Sequence, residues 1–165
     1  MNSSKLFKFM EQKSEDVMEI IVPEYINPEY GMYVWPCAPV LAQFIWKNRQ
    51  KVKNKNVLEI GAGTALPGIM AAKCGADVIL SDSARLLECQ QNCRRTCLDN
   101  NIKDIPVIGL TWGEFNPSLL ELGNIDIILA SDCFYETKDF EEVIVTVSFI
   151  LKRNPLCEFW CTYQE

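Results

Sequence analysis

Asn56-Val57-Leu58-Glu59-Ile60-Gly61-Ala62-Gly63-Thr64-Ala65-Leu66-Pro67-Gly68 is the stretch whose reading decides the fold. Asn56–Ile60 is a short, mostly apolar run, the pattern of a strand covered on both faces. The glycines that follow let the backbone turn tightly and approach a ligand closely. Pro67 suits the first turn of a helix. Such a helix offers unpaired N–H groups and a positive dipole end to an anionic group.

The same alternation continues downstream. The spacing predicts a helix over Pro67–Cys74, a strand over Asp77–Leu80 and a long helix over Ser83–Asn101. A strand over Ile105–Leu110, a short helix over Pro117–Leu122 and a strand over Ile125–Ala130 come next. A helix over Phe140–Lys152 and a last strand over Glu158–Tyr163 complete the pattern. Apolar strands alternating with helices predict an α/β fold, a Rossmann-like, mostly parallel sheet with helices on both faces. Upstream, a strand is expected around Val17–Val22, closing at Pro23, and Tyr30–Pro39 reads as an ordered loop. Pro36 and Pro39 open a helix with Leu41, Phe44 and Ile45 on its buried side. The basic stretch Lys47–Lys55 reads as a solvated connection.

The chain has 165 residues, enough for one domain with a real core. Its formal charge of −6, from 22 acidic against 16 basic residues, disfavours nucleic-acid binding by phosphate neutralisation and suits a basic peptide substrate. The first twenty residues hold no uninterrupted apolar segment, and no apolar run is long enough to span a membrane, so the nucleus and cytoplasm are the expected compartments. Eight cysteines occur without a Cys-x-x-Cys and without any histidine, so no metal is expected. Cys89, Cys93 and Cys97, four apart, read as small core residues on one face of a helix in a reduced compartment.

Ligands in a doubly wound sheet bind beyond the carboxyl ends of the strands. A dinucleotide fingerprint, Gly-x-Gly-x-x-Gly, needs a third glycine at position 66, where this chain has Leu66. Here an acid begins the motif, Glu59-x-Gly61-x-Gly63, which suits a ligand bearing one carboxylate and one amino group, the methionine end of S-adenosylmethionine. Asp82, nineteen residues after Gly63, ends the second strand of the alternation, where a carboxylate accepts both hydroxyls of a ribose. A purely structural turn is the alternative. Trp112 closes the third strand, placed either to stack on an adenine ring or to fill the core. Ala130-Ser131-Asp132-Cys133-Phe134-Tyr135-Glu136 puts two carboxylates and a phenol at the mouth of the fourth; helix capping by Asp132 or Glu136 is the alternative.

Taken together, Glu59–Gly63, Ser81-Asp82, Leu110–Gly113, Asp132-Cys-Phe-Tyr135 and the upstream Trp35-Pro36 resemble the lysine methyltransferase-like family of seven-strand methyltransferases. The resemblance implies a class I S-adenosylmethionine-dependent methyltransferase domain over 30–165, with 1–29 as an N-terminal extension. It implies donor contacts at Trp35, Glu59, Gly61, Ala62, Gly63, Asp82, Trp112 and Ala130, and a catalytic, substrate-facing role for Asp132, Tyr135 and Glu136. One member is associated with histone arginine methylation. A protein-arginine N-methyltransferase acting on a histone H3 tail is therefore the expected activity, with chaperones or protein complexes as further partners. Lysine methylation of a non-histone protein and silent donor binding are the alternatives. The family sheet has seven strands, whereas this chain stops at Glu165 after the fifth, which predicts an incomplete C-terminus with Phe159 and Trp160 exposed.

Overall fold

Strand parity sorts the central sheet's side chains onto two cores. In β3 (Asn56–Glu59), Val57 joins one core and Leu58 the other. In β6 (Ile127–Ser131), Ile127 and Leu129 lie with Val57, while Ile128 and Ala130 lie with Leu58. This is the period-two rule of a strand, and two apolar faces require cover on both sides. In the computed structural model, which describes residues 2–11, 16–25 and 33–164, that cover is helical. Residues 30–32 of the expected loop, and Glu165, lie outside the described residues.

The first core is closed by α1 (Cys37–Lys47), the short α2 (Arg49–Val52), α3 (Leu66–Lys73) and α4 (Leu87–Asp99). The second is closed by α5 (Pro117–Leu120) and α6 (Phe140–Arg153). The five-stranded sheet has the order β5 (Val107–Gly109), β4 (Asp77–Asp82), β3, β6, β7 (Glu158–Thr162), every pair parallel. The chain winds outward from β3 to β5 and then returns to place β6 on the other side of β3. That reversal is the topological switch point, beside which ligands bind in open α/β sheets.

Several local expectations shift. β2 (Val17–Tyr25) runs through Pro23, and it pairs antiparallel with an unforeseen β1 (Asn2–Met10). A proline is tolerated in a two-stranded ribbon where its nitrogen faces away from the partner. β1 was hidden because its outward residues Leu6 and Met10 are apolar and blur the alternation that buries Phe9. Phe9, Ile20 and Val22 belong to the first core, and Asn100 clasps the free edge of β2 by accepting from Ile21 N (3.0 Å) and donating to Ile21 O (2.6 Å).

Helix α1 begins directly after Pro36 and buries Leu41 and Ile45, as its spacing predicts. Phe44 does not join them: it is exposed and meets Trp160 edge-on with ring centroids 5.0 Å apart. Phe159 and Trp160 are half-buried rather than exposed, packed on the second and first cores respectively. Helix α4 starts at Leu87, since Ser83–Leu86 forms a turn closed by Leu86 N donating to Ser83 O (3.1 Å). Cys89, Cys93 and Cys97 lie buried along its inner face.

Candidate active site

A cavity of about 510 Å³ opens beyond the carboxyl ends of β3, β4, β5 and β6. Each strand delivers its next residues to the wall: Gly61 and Gly63 after β3, Asp82 and Ser83 at the end of β4, Trp112 after β5, and Asp132, Cys133 and Tyr135 after β6. Trp35 closes one side from before α1, and Asp139 and Glu142 enter from the start of α6.

The glycine-rich turn depends on its glycines. Gly61 and Gly63 have φ of +57° and +52°, in the left-handed region that a side chain disfavours. A Cβ on Gly61 would lie 2.8 Å from Cζ2 of Trp112, so the indole rests directly on the turn. Trp112 packs against the second core, as the core alternative has it, and also lines the cavity.

Glu59 is buried, and its Oε2 accepts from Gly68 N (2.9 Å) in the first turn of α3. Among the described residues its Oε1 has no hydrogen-bond partner. Burial pushes its carboxyl well above the usual range; the Gly68 N–H works against this, and the nearby Asp82 charge adds to it. Asp82 takes one backbone N–H on each oxygen, Gly63 N on Oδ2 (2.8 Å) and Ser83 N on Oδ1 (2.8 Å). Burial raises its pKa while those two N–H groups lower it. A carboxylate has about four acceptor sites, so each Asp82 oxygen keeps one for an incoming hydroxyl.

At the end of β6 the backbone turns through Asp132 with φ of +53°. Its Oδ2 accepts from Cys37 N (2.8 Å), the first residue of α1, and its own N–H donates to Thr162 O (2.9 Å). Asp132 therefore ties the start of α1 to the end of β6, and the helix it caps is not the next one in sequence. Tyr135 is half-exposed, stacked near Trp35 at 6.4 Å. Burial first, and then the charges of Asp139 and Glu136, push its phenol up to about 12. It is protonated at neutral pH and suited to donate a hydrogen bond. Cys133 and Cys93 are pushed well up by burial, so neither supplies a thiolate nucleophile.

Five carboxylates line the cavity, Asp82, Glu114, Asp132, Asp139 and Glu142, against one guanidinium, Arg85, which pairs with Glu114 at the rim. A cavity of that sign favours cations. Among the described residues no cluster of His, Cys, Asp and Glu could hold a metal ion, and no helix is long and apolar enough to cross a membrane.

Of the residues singled out from sequence, the cavity gathers Trp35, Gly61, Gly63, Asp82, Trp112, Asp132 and Tyr135. It does not include Glu59, held back on α3, nor Ala62 and Ala130, which are buried. Glu136 is also outside the wall, and its carboxylate pairs with Lys138 (2.6 Å). Sequence reading missed Ser83, Arg85, Cys89, Glu114, Asp139 and Glu142. The last two carried a signal: they are three apart at the start of a helix and so share a face.

An all-parallel, doubly wound sheet with a cation-favouring cavity at its switch point defines the class I methyltransferase frame. The chain belongs to the lysine methyltransferase family, whose model matches residues 13–165. It is 58% identical over 162 residues to the histone-arginine methyltransferase METTL23 of Xenopus laevis, covering 97% of this chain and 69% of that protein. It is 54% identical over 133 residues to the Homo sapiens protein of the same name, covering 81% of this chain and 70% of that one. The chain thus spans about two thirds of the length of these curated relatives. Among solved structures, the Thermus thermophilus 16S rRNA N2 G1207 methyltransferase RsmC, in complex with AdoMet and guanosine, superposes with a TM-score of 0.62 at 17% identity. That match covers 92% of this chain and 39% of RsmC, and it shows the shared fold.

Proposed function

We propose that this chain transfers a methyl group from S-adenosylmethionine to an arginine side chain of a histone tail, acting in the nucleus and cytoplasm. The observation that carries the reading is the cavity's five carboxylates against one guanidinium, set at the switch point of the sheet. The donor carries a positive sulfonium and the acceptor a positive guanidinium, and both gain from that field.

The residues fit the donor. Asp82 keeps acceptor capacity for a ribose diol, and Trp112 presents an aromatic surface beside it in the same wall. Gly61 and Gly63 bring bare backbone to the cavity. Behind the turn, buried Glu59 accepts from Gly68 N and fixes the start of α3 against the glycine loop. When bound, S-adenosylmethionine supplies a methyl group already activated by its positive sulfur, so no metal is required.

The chain's own residues then have three tasks. Asp132, anchored through Cys37, holds the acceptor nitrogen in line and disperses its positive charge. Asp139 and Glu142 deepen the same field from α6. Tyr135, protonated, orients the acceptor and closes the mouth with Trp35. Glu136 acts at a distance, through its pairing with Lys138. The names of the curated relatives support arginine, while the family's description keeps lysine as the second reading. The test is mass spectrometry of histone H3 tail peptides incubated with the chain and donor. A methyl group on arginine supports the proposal; transfer to lysine alone, or none from a donor-bound chain, refutes it.

A further inference from the structure

Tyr33, Trp35 and Tyr135 stand in one row. The Tyr33 and Trp35 rings are 4.8 Å apart and tilted by 33°, and the Trp35 and Tyr135 rings are 6.4 Å apart and within 20° of parallel. Trp35 and Tyr135 line the cavity, whereas Tyr33 lies just outside its wall with 38% of its surface exposed. The row of ring contacts therefore leads from the protein surface into the cavity. At its inner end sit Asp132, Asp139 and Glu142, and among the described residues none of the three is in an ion pair. The competing cations are already engaged, Arg85 by Glu114 and Lys138 by Glu136.

Aromatic faces attract any cation, yet they discriminate between cations. A guanidinium is planar and weakly hydrated, so it stacks flat on a ring; an ammonium is compact, holds its water and gains less. Carboxylates draw in either cation, pairing with a guanidinium through two parallel N–H groups and with an ammonium as a point charge. We propose that Tyr33, Trp35 and Tyr135 form an aromatic rail for an incoming guanidinium, and that Tyr33 at its outer end sets a preference for arginine over lysine. This inference rests on the proposed methyl transfer and names the feature that selects its acceptor. Trp35 and Tyr135 line the donor cavity and Tyr33 does not, so Tyr33 is the member whose removal leaves the cavity wall's own residues in place.

The experiment measures binding, separately from turnover. Calorimetry is run on the chain loaded with S-adenosylhomocysteine, using a histone H3 tail peptide with one arginine and the same peptide with lysine in its place. Tyr33→Ala is expected to weaken the arginine peptide about three- to ten-fold, the range of one cation–π contact, and the lysine peptide distinctly less. Tyr33→Phe keeps the ring and is expected to bind as the wild type does. Circular dichroism confirms that all three chains are folded, and in turnover the Ala change should raise KM with kcat nearly constant. Unchanged affinity in Tyr33→Ala, equal loss for both peptides, or no rescue by Phe overturns the rail. A wild-type chain that binds neither peptide also overturns it. A wild-type chain that binds the arginine peptide selectively but never methylates it refutes the proposed reaction instead.

Discussion

Replacing Gly68 by alanine should destabilise this protein, although alanine is the better helix former. In an exposed helix the exchange would gain about 1 kcal/mol. Here an added Cβ would stand 2.3 Å from Cδ2 of Leu80 and 2.4 Å from Oε2 of Glu59. Carbon contacts need roughly 3.5–4.0 Å, so each neighbour would have to retreat by more than about 1 Å. Neither can move cheaply: Leu80 is 0% exposed and Glu59 is 1% exposed. Overpacking of this kind costs about 1–3 kcal/mol. Displacing Glu59 also breaks its bond to Gly68 N, which adds about 0.5–1.5 kcal/mol for an uncharged acceptor. After the helix gain is subtracted, the net loss is about 0.5–3.5 kcal/mol, or roughly 1–14 °C in Tm for a domain of this size. Thermal unfolding followed by circular dichroism reads this directly. Gly123→Ala, where an added Cβ meets nothing within 4 Å, is the control. A Gly68→Ala chain as stable as wild type would refute the tight packing of Glu59 and Leu80 under α3.

Three further outcomes follow from the site. Glu59 has a folded-state pKa raised by burial, so the folded chain holds that proton more tightly than the unfolded one. Its contribution to stability is therefore greatest at or below the ordinary carboxylate range and declines as pH rises toward the raised value; Glu59→Gln should flatten this decline in a Tm–pH series, and an unchanged slope would refute it. Asp132→Ala should lose about 1–2 kcal/mol by freeing Cys37 N and placing alanine at positive φ, whereas Asp132→Asn keeps the acceptor and tolerates that φ; equal Tm losses would contradict the anchoring role. With Tyr135 titrating at about 12, Tyr135→Phe should slow transfer without moving any break in the pH–rate profile; disappearance of a break near neutrality would make Tyr135 a base.

The parallel sheet and its glycine turn were legible because each strand is an apolar run bounded by turn residues, and each helix follows at a readable period. Residues fixed by local pattern, such as Gly61, Gly63 and Asp82, fell where their spacing put them. What escaped was set by contacts between distant segments. The capping alternative for Asp132 looks to the next helix, but the helix start it ties down is at Cys37, ninety-five residues away. Glu59 reads as a wall residue, yet the nearest N–H available to its buried carboxylate is Gly68's, which draws it under α3. Phe44 has helical spacing for burial, but β7 sets Trp160 beside it at the rim of the sheet. Strand β1 escaped because its outward Leu6 and Met10 blur the alternation that buries Phe9.

The central claim is that the cavity at the switch point binds S-adenosylmethionine through Asp82. Calorimetry of the donor with the wild-type chain, Asp82→Asn and Asp82→Ala tests it most directly, with circular dichroism confirming that each chain is folded. The account predicts saturable binding by wild type and its loss in Asp82→Ala. Asp82→Asn should fall between, because it keeps an acceptor but gives up the charge. A folded wild-type chain that does not bind the donor, or one that binds equally well without Asp82, would contradict it.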